Sequence, residues 1–146
     1  KYNLHFDLQI PWKYLEEARL LANDYPNTLI ILNHAGLPYD RSKEGLRNWK
    51  NAMNIISQCP NVIVKISGIG VLNSTWNKSN NEGIINYLID KFGADRCMFG
   101  SNFPVDSLCA SYDQIVETLY ECISDLTNTE IENIFYNNAI KFYNPL

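Results

Sequence analysis

The chain has 146 residues, 46% of them hydrophobic and 12% aromatic, with a formal net charge of −4 and an isoelectric point near 5.1. That is enough for one domain with a real core and too little for a complete eight-stranded α/β barrel, which takes roughly 250 residues. The 12 Lys and Arg residues are dispersed and no apolar run nears the about 20 residues that span a bilayer, so neither a nucleic-acid nor a membrane partner is expected, and the ligand should be a small molecule.

Residues 2–10 alternate, with Leu4, Phe6, Leu8 and Ile10 on one face and His5, Asp7 and Gln9 on the other, the two-residue period of a strand that Pro11 stops. Over residues 12–23, Tyr14, Ala18, Leu21 and Ala22 recur at helical spacing, with Pro11 at the opening turn and Pro26 closing the segment. Residues 28–32 are a nearly continuous apolar run, as in a parallel strand covered on both sides, and end in Asn33, His34 and Gly36. Leu46, Trp49, Met53 and Ile56 mark a second helix ending before Pro60. Residues 62–68 read as a third strand with Lys65 inside it. Residues 73–81 form an Asn- and Ser-rich loop around Trp76, and Asn81 is expected to cap a helix carrying Ile84, Ile85, Leu88, Ile89 and Phe92. Cys97, Met98 and Phe99 form a short buried strand that Gly100 and Pro104 end. The next helix carries Tyr112, Ile115, Val116, Leu119, Ile123 and Leu126; Ser111 with Gln114 reads as its capping box, and Asp106 or Ser107 can also serve as a cap. Thr129 and Glu132 read as the box of a last helix with Ile131, Ile134, Phe135, Ala139 and Phe142 on one stripe.

Four strand–helix units of roughly 25–35 residues imply an α/β fold with a parallel sheet. There is no internal linker, so residues 1–146 are read as one domain. Half of a (β/α)8 barrel and a small open sheet both fit this periodicity, and both gather the loops after the strands on one rim. Cys59, Cys97, Cys109 and Cys122 lack CxxC spacing and sit in apolar segments, as reduced thiols do in a cytoplasmic protein. The chain opens at Lys1 inside a strand pattern, and further residues are expected to precede it.

Polar residues recur at all four strand ends: Gln9; Asn33 with His34; Lys65 with Ser67; Ser101 with Asn102, and Asp106 just beyond. Each unpaired buried polar group costs about 1–3 kcal/mol, so their recurrence argues for a site. Five blocks carry a resemblance: Phe6-Asp7-Leu8-Gln9-Ile10, Leu32-Asn33-His34-Ala35-Gly36-Leu37-Pro38, the run from Pro60 to Gly68, Phe99-Gly100-Ser101-Asn102-Phe103-Pro104-Val105-Asp106, and Asn138-Ala139-Ile140-Lys141-Phe142-Tyr143. In this order the chain resembles the amidohydrolase-related TIM-barrel hydrolases, in the branch that contains sugar-lactone and pyrone-dicarboxylate lactonases.

The resemblance implies that the chain is the second half of the barrel, strands five to eight, of a longer polypeptide. It implies hydrolysis of a cyclic ester by activated water, with no metal or other cofactor, since Gln9 stands where metal-binding relatives place a histidine. His34 would stabilise the oxyanion, while Gln9, Lys65, Ser67 and Ser101 would hold the substrate. At Asn102 the family usually has an aspartate that takes a proton from water, and an amide cannot do this. Either Asp106 takes over or Asn102 only orients the water. His5 matches no family ligand and is read as structural. Two other readings remain: a zinc or other divalent-metal amidohydrolase or decarboxylase completed by ligands outside this chain, and a non-catalytic half-barrel. The half-barrel would have a bare apolar inner face and two open strand edges, conditions that favour a homo-oligomer.

Overall fold

A computed structural model describes residues 4–144; Tyr2, in the first expected strand, lies outside them. Four strands, β1 (Phe6–Leu8), β2 (Ile30–Leu32), β3 (Val62–Ile66) and β4 (Cys97–Phe99), form one parallel sheet in the order β1-β2-β3-β4. They alternate with α1 (Leu15–Asp24), α2 (Lys43–Ile56), α3 (Lys78–Phe92) and α4 (Tyr112–Cys122). Then come α5 (Asn128–Glu132), a π-helical stretch (Asn133–Asn137) and α6 (Asn138–Tyr143). A doubly wound sheet reverses its strand order at a switch point. This one advances by one strand at each crossover, which is the winding of a barrel arc, so the open-sheet alternative is not the fold.

The pleat explains how each face is covered. Ile30, Leu32, Val62, Val64, Ile66 and Cys97 share one face and pack against Ala18, Trp49, Met53, Ile85, Leu88 and Ile115 of α1 to α4. Residues one step out of phase, Ile31, Ile63 and Met98, point to the other face. That face is not bare, as the sequence suggested: the three side chains are 0–1% exposed beneath Leu29, Ala139, Phe142 and Tyr143, so the end of the chain folds across the concave side. One of the two strand edges is also partly occupied. In a strand successive carbonyls alternate in direction; Gly100 N–H bonds Ile66 O on β3, so Cys97 O faces away from β3, and there the buried Asn138 amide donates to it at 2.8 Å. Among the described residues nothing pairs with the outer edge of β1, and Leu4 is 75% and Phe6 46% exposed, although both were expected on the covered face with Leu8.

Helix ends correct several expectations. Asn77, not Asn81, caps α3; Asn81 is a buried residue of its first turn and donates to Asn77 O. Ser111 caps α4, as its position suggests, but the Gln114 side chain reaches Trp76 O instead of closing the box, and neither Asp106 nor Ser107 is the cap. The reciprocal box opening the last helical region is Thr127 with Glu130, two residues earlier than expected. α4 stops at Cys122, short of Leu126. No helix among the described residues is long and apolar enough to cross a membrane, and the four cysteines are free thiols.

Loops at the opposite end from the rim are fixed by side chains acting on backbone. The Arg96 guanidinium donates to the carbonyls of Phe92, Cys59, Val62 and Ser57 at 3.0–3.1 Å. Arg96→Lys, with a single ammonium in place of the planar fork, is expected to lower unfolding free energy by about 1–3 kcal/mol in urea titrations; an unchanged midpoint would contradict this account.

Candidate active site

β2 ends at Leu32, and the chain then turns in a conformation that side chains resist. His34, Ala35 and Leu37 have φ of 54°, 52° and 59°, with Gly36 at 66° between them. Each left-handed residue with a Cβ costs roughly 1–2 kcal/mol, so the turn must be held from outside. Leu37 N–H donates to His34 O at 2.7 Å, and the fully buried Trp49 donates its indole N–H to Ala35 O at 2.8 Å. His34 Nδ1 lies 3.0 Å from Ser67 Oγ. The imidazole rests on Gly68, whose φ is +56° and where a Cβ would stand 2.7 Å from His34 Cγ. Gly68 was legible in the sequence only as the end of a strand.

Beyond β4, Asn102 also has positive φ, 53°, and the Phe103–Pro104 peptide is cis. A single helical turn, Val105–Leu108, follows and carries Asp106. Asn102 Nδ2 donates to Asp106 Oδ1 at 2.9 Å; Asp106 is 6% exposed and its Oδ2 is buried without a hydrogen-bond partner. Burial raises the Asp106 carboxyl above the usual carboxylate range, against smaller downward pulls from Asn102, His34 and the Gly70 backbone. Burial likewise lowers His34, partly offset by the charge of Asp106 and reinforced by Lys65. Burial thus favours the neutral imidazole. A cavity of about 340 Å³ opens beside Asp106, the one acidic residue on its described lining, which also includes Tyr39, Gly70, Val71 and Cys109 but not His34.

The other expected residues divide. Ser67 is 4% exposed and stands on His34. Lys65 belongs to a separate cluster on the concave face: its Nζ is 2.9 Å from Asp7 Oδ1, which also accepts the Tyr143 hydroxyl at 2.7 Å, and it lies over the Tyr143 ring. His5, 3.3 Å from Asp7 Oδ2 and edge-on to Tyr143, completes that cluster. Ser101 Oγ accepts Phe103 N–H. Gln9 is exposed and follows Leu8, the register partner of Leu32, which sets it level with Asn33. Asn33 Oδ1, buried without a partner, joins the rim. Among the described residues no group of three His, Cys, Asp or Glu side chains could hold a metal ion.

A singly wound parallel arc with polar residues gathered at its strand ends is part of a TIM-type barrel, and those ends form its rim. The chain belongs to the amidohydrolase family, whose model matches residues 1–144. It is 39% identical over 140 residues to the uncharacterized protein y4mH of Sinorhizobium fredii, covering 96% of this chain and 47% of that protein. It is 29% identical over 121 residues to L-fucono-1,5-lactonase of Burkholderia multivorans, covering 75% and 40%. An amidohydrolase from Burkholderia multivorans, crystallised with bound zinc, superposes with a TM-score of 0.87 at 25% identity, over 96% of this chain and 52% of that one. The chain thus spans about half the length of the curated relatives it matches.

Proposed function

We propose that the polypeptide carrying this chain hydrolyses a cyclic ester, a sugar lactone or a close analogue, with Asp106 as the base and His34 as the electrophile. The observation that carries this is the Asp106 carboxyl: Asn102 holds Oδ1, Oδ2 is buried without a hydrogen-bond partner, and the residue lines a cavity at the strand ends. In the tautomer in which Ser67 Oγ donates to His34 Nδ1, the neutral ring carries its proton on Nε2 and donates to the lactone carbonyl oxygen. Water adds to the carbonyl carbon as Asp106 takes its proton, and negative charge gathers on the oxygen facing His34. Collapse breaks the ring C–O bond, and the departing alkoxide recovers the proton from Asp106, giving one hydroxy acid. The lactonase name of the Burkholderia multivorans relative supports this reading. Gln9, level with Asn33, would contact the substrate, whereas Lys65 would act on it only through charge, being bonded to Asp7. The free thiols accord with a cytoplasmic setting.

Among the described residues no three His, Cys, Asp or Glu side chains are grouped so as to hold a metal ion, and the reading assigns the reaction to Asp106 and His34. Lactone hydrolysis by the complete barrel polypeptide, followed by base uptake at constant pH, is expected to be unchanged after dialysis against a chelator. Loss of activity that zinc restores would replace this reading with a metal-dependent one whose further ligands lie outside the chain.

A further inference from the structure

A second cavity, of about 220 Å³, lies where the segments after β2 and β3 meet the first turn of α3. It shares only Val71 with the cavity beside Asp106. At about 30 Å³ per water it has room for roughly seven waters, more than a packing defect. Arg41 is the one charged residue on its described lining, which is otherwise polar at Ser74, Thr75, Ser79 and Asn80. The guanidinium spends one N–H on Ile69 O. Its Nε and Nη1 are sealed from solvent with no acceptor. Trp76, 6% exposed and on the same lining, has an indole N–H in the same condition. Among the described residues Arg41 has no ion pair with an acid, and burial lowers its pKa.

Buried cationic donors without acceptors are unfavourable, and here two side chains on one cavity wall share that deficit. The first turn of α3, a helix of 15 residues, adds the positive end of its dipole at Ser79 and Asn80. We propose that this cavity binds the anionic group of a small metabolite, a carboxylate or a phosphate, with Arg41 as the principal ligand and Trp76 as a second donor. Binding would require the Arg41 side chain to turn so that Nε and Nη1 meet the two oxygens of such a group, the bidentate match that a lysine lacks. The site is independent of the lactone reading, because none of its ligands belongs to the His34 and Asp106 pair.

The test is a titration of the complete barrel polypeptide with inorganic phosphate and, separately, acetate, against chloride at equal ionic strength, read by its indole N–H signals. Saturable movement confined to the signal that Trp76→Phe removes is expected. Arg41→Gln should weaken binding at least tenfold while leaving the unfolding midpoint unchanged or higher, since it deletes a buried unpaired charge. Calorimetry should find affinity in Trp76→Phe reduced several-fold. A response to phosphate alone assigns a phosphate ester, and one to acetate alone a carboxylate. No saturable response to either anion, equal movement with chloride, or undiminished affinity in Arg41→Gln overturns the proposal; if that variant does not fold, undiminished affinity in Trp76→Phe does so.

Discussion

Asp106→Asn in the complete barrel polypeptide is expected to lower kcat by about 10²–10⁴ while leaving the fold equally stable or more stable at neutral pH. The two halves of this expectation have one cause. Burial raises the carboxyl pKa above its ordinary 3.8, so the folded chain holds the proton more tightly than the unfolded chain does. The stability Asp106 contributes is therefore fully present below 3.8 and lost as pH rises through the folded-state value. Above the folded-state value the ionised form weakens the fold, and the neutral amide removes that burden while still offering an oxygen to Asn102. A residue kept for structure would show the reverse, with stability falling alongside activity. Steady-state kinetics and urea titration on one preparation separate the cases: an unchanged kcat, or a fall that only tracks unfolding, removes Asp106 from the mechanism. The acid limb of the pH–kcat profile should carry both groups. His34 is lowered, so it protonates only below its usual value and its contribution to stability is lost as pH falls through the lowered one.

Trp49→Ala is expected to cost about 3–5 kcal/mol, the largest loss of stability foreseen for this chain. Its side chain is 0% exposed, it packs in the layer between sheet and helices, and its indole N–H is the donor to Ala35 O. At about 2–4 °C per kcal/mol, Tm should fall by on the order of 10 °C. Trp49→Phe tells more: it keeps most of the packing and leaves Ala35 O without its donor, a cost of about 1–3 kcal/mol. Because that carbonyl belongs to the left-handed turn carrying His34, loss of the bond frees the turn to relax. The imidazole pKa followed by NMR should then rise toward 6.5 as the ring gains solvent. A destabilised Trp49→Phe chain with an unmoved His34 pKa would show that the turn holds itself.

How far the sequence reaches is seen by comparing particular residues. The strand cores of β2, β3 and β4 are legible because residues covered on both faces must be continuously apolar, and Trp49, Met53 and Ile56 because a one-sided helix repeats every 3.6 residues. His34 and Asp106 are legible as polar residues at strand ends, and structure brings them within electrostatic reach of one another. For Lys65 the sequence shows only a polar residue inside a strand, which signals a face and not a partner. Its partners Asp7 and Tyr143 come from 58 and 78 positions away, and no local pattern encodes that meeting. The cap of α3 is misplaced because Asn77, Asn80 and Asn81 have the same chemistry, and only the backbone selects among them.

By itself the sequence determined the alternation of strand and helix, the parallel sense of the sheet and the rim on which polar residues gather, since these follow from periodicity and from where glycine and proline stop a strand. Tertiary structure alone decided that the concave face is closed by Phe142 and Tyr143, that Lys65 is held by Asp7, and that one oxygen of Asp106 is buried without a hydrogen-bond partner. Those outcomes depend on which distant side chains compete for the same buried volume and the same hydrogen bonds, and that competition exists only once the chain is folded.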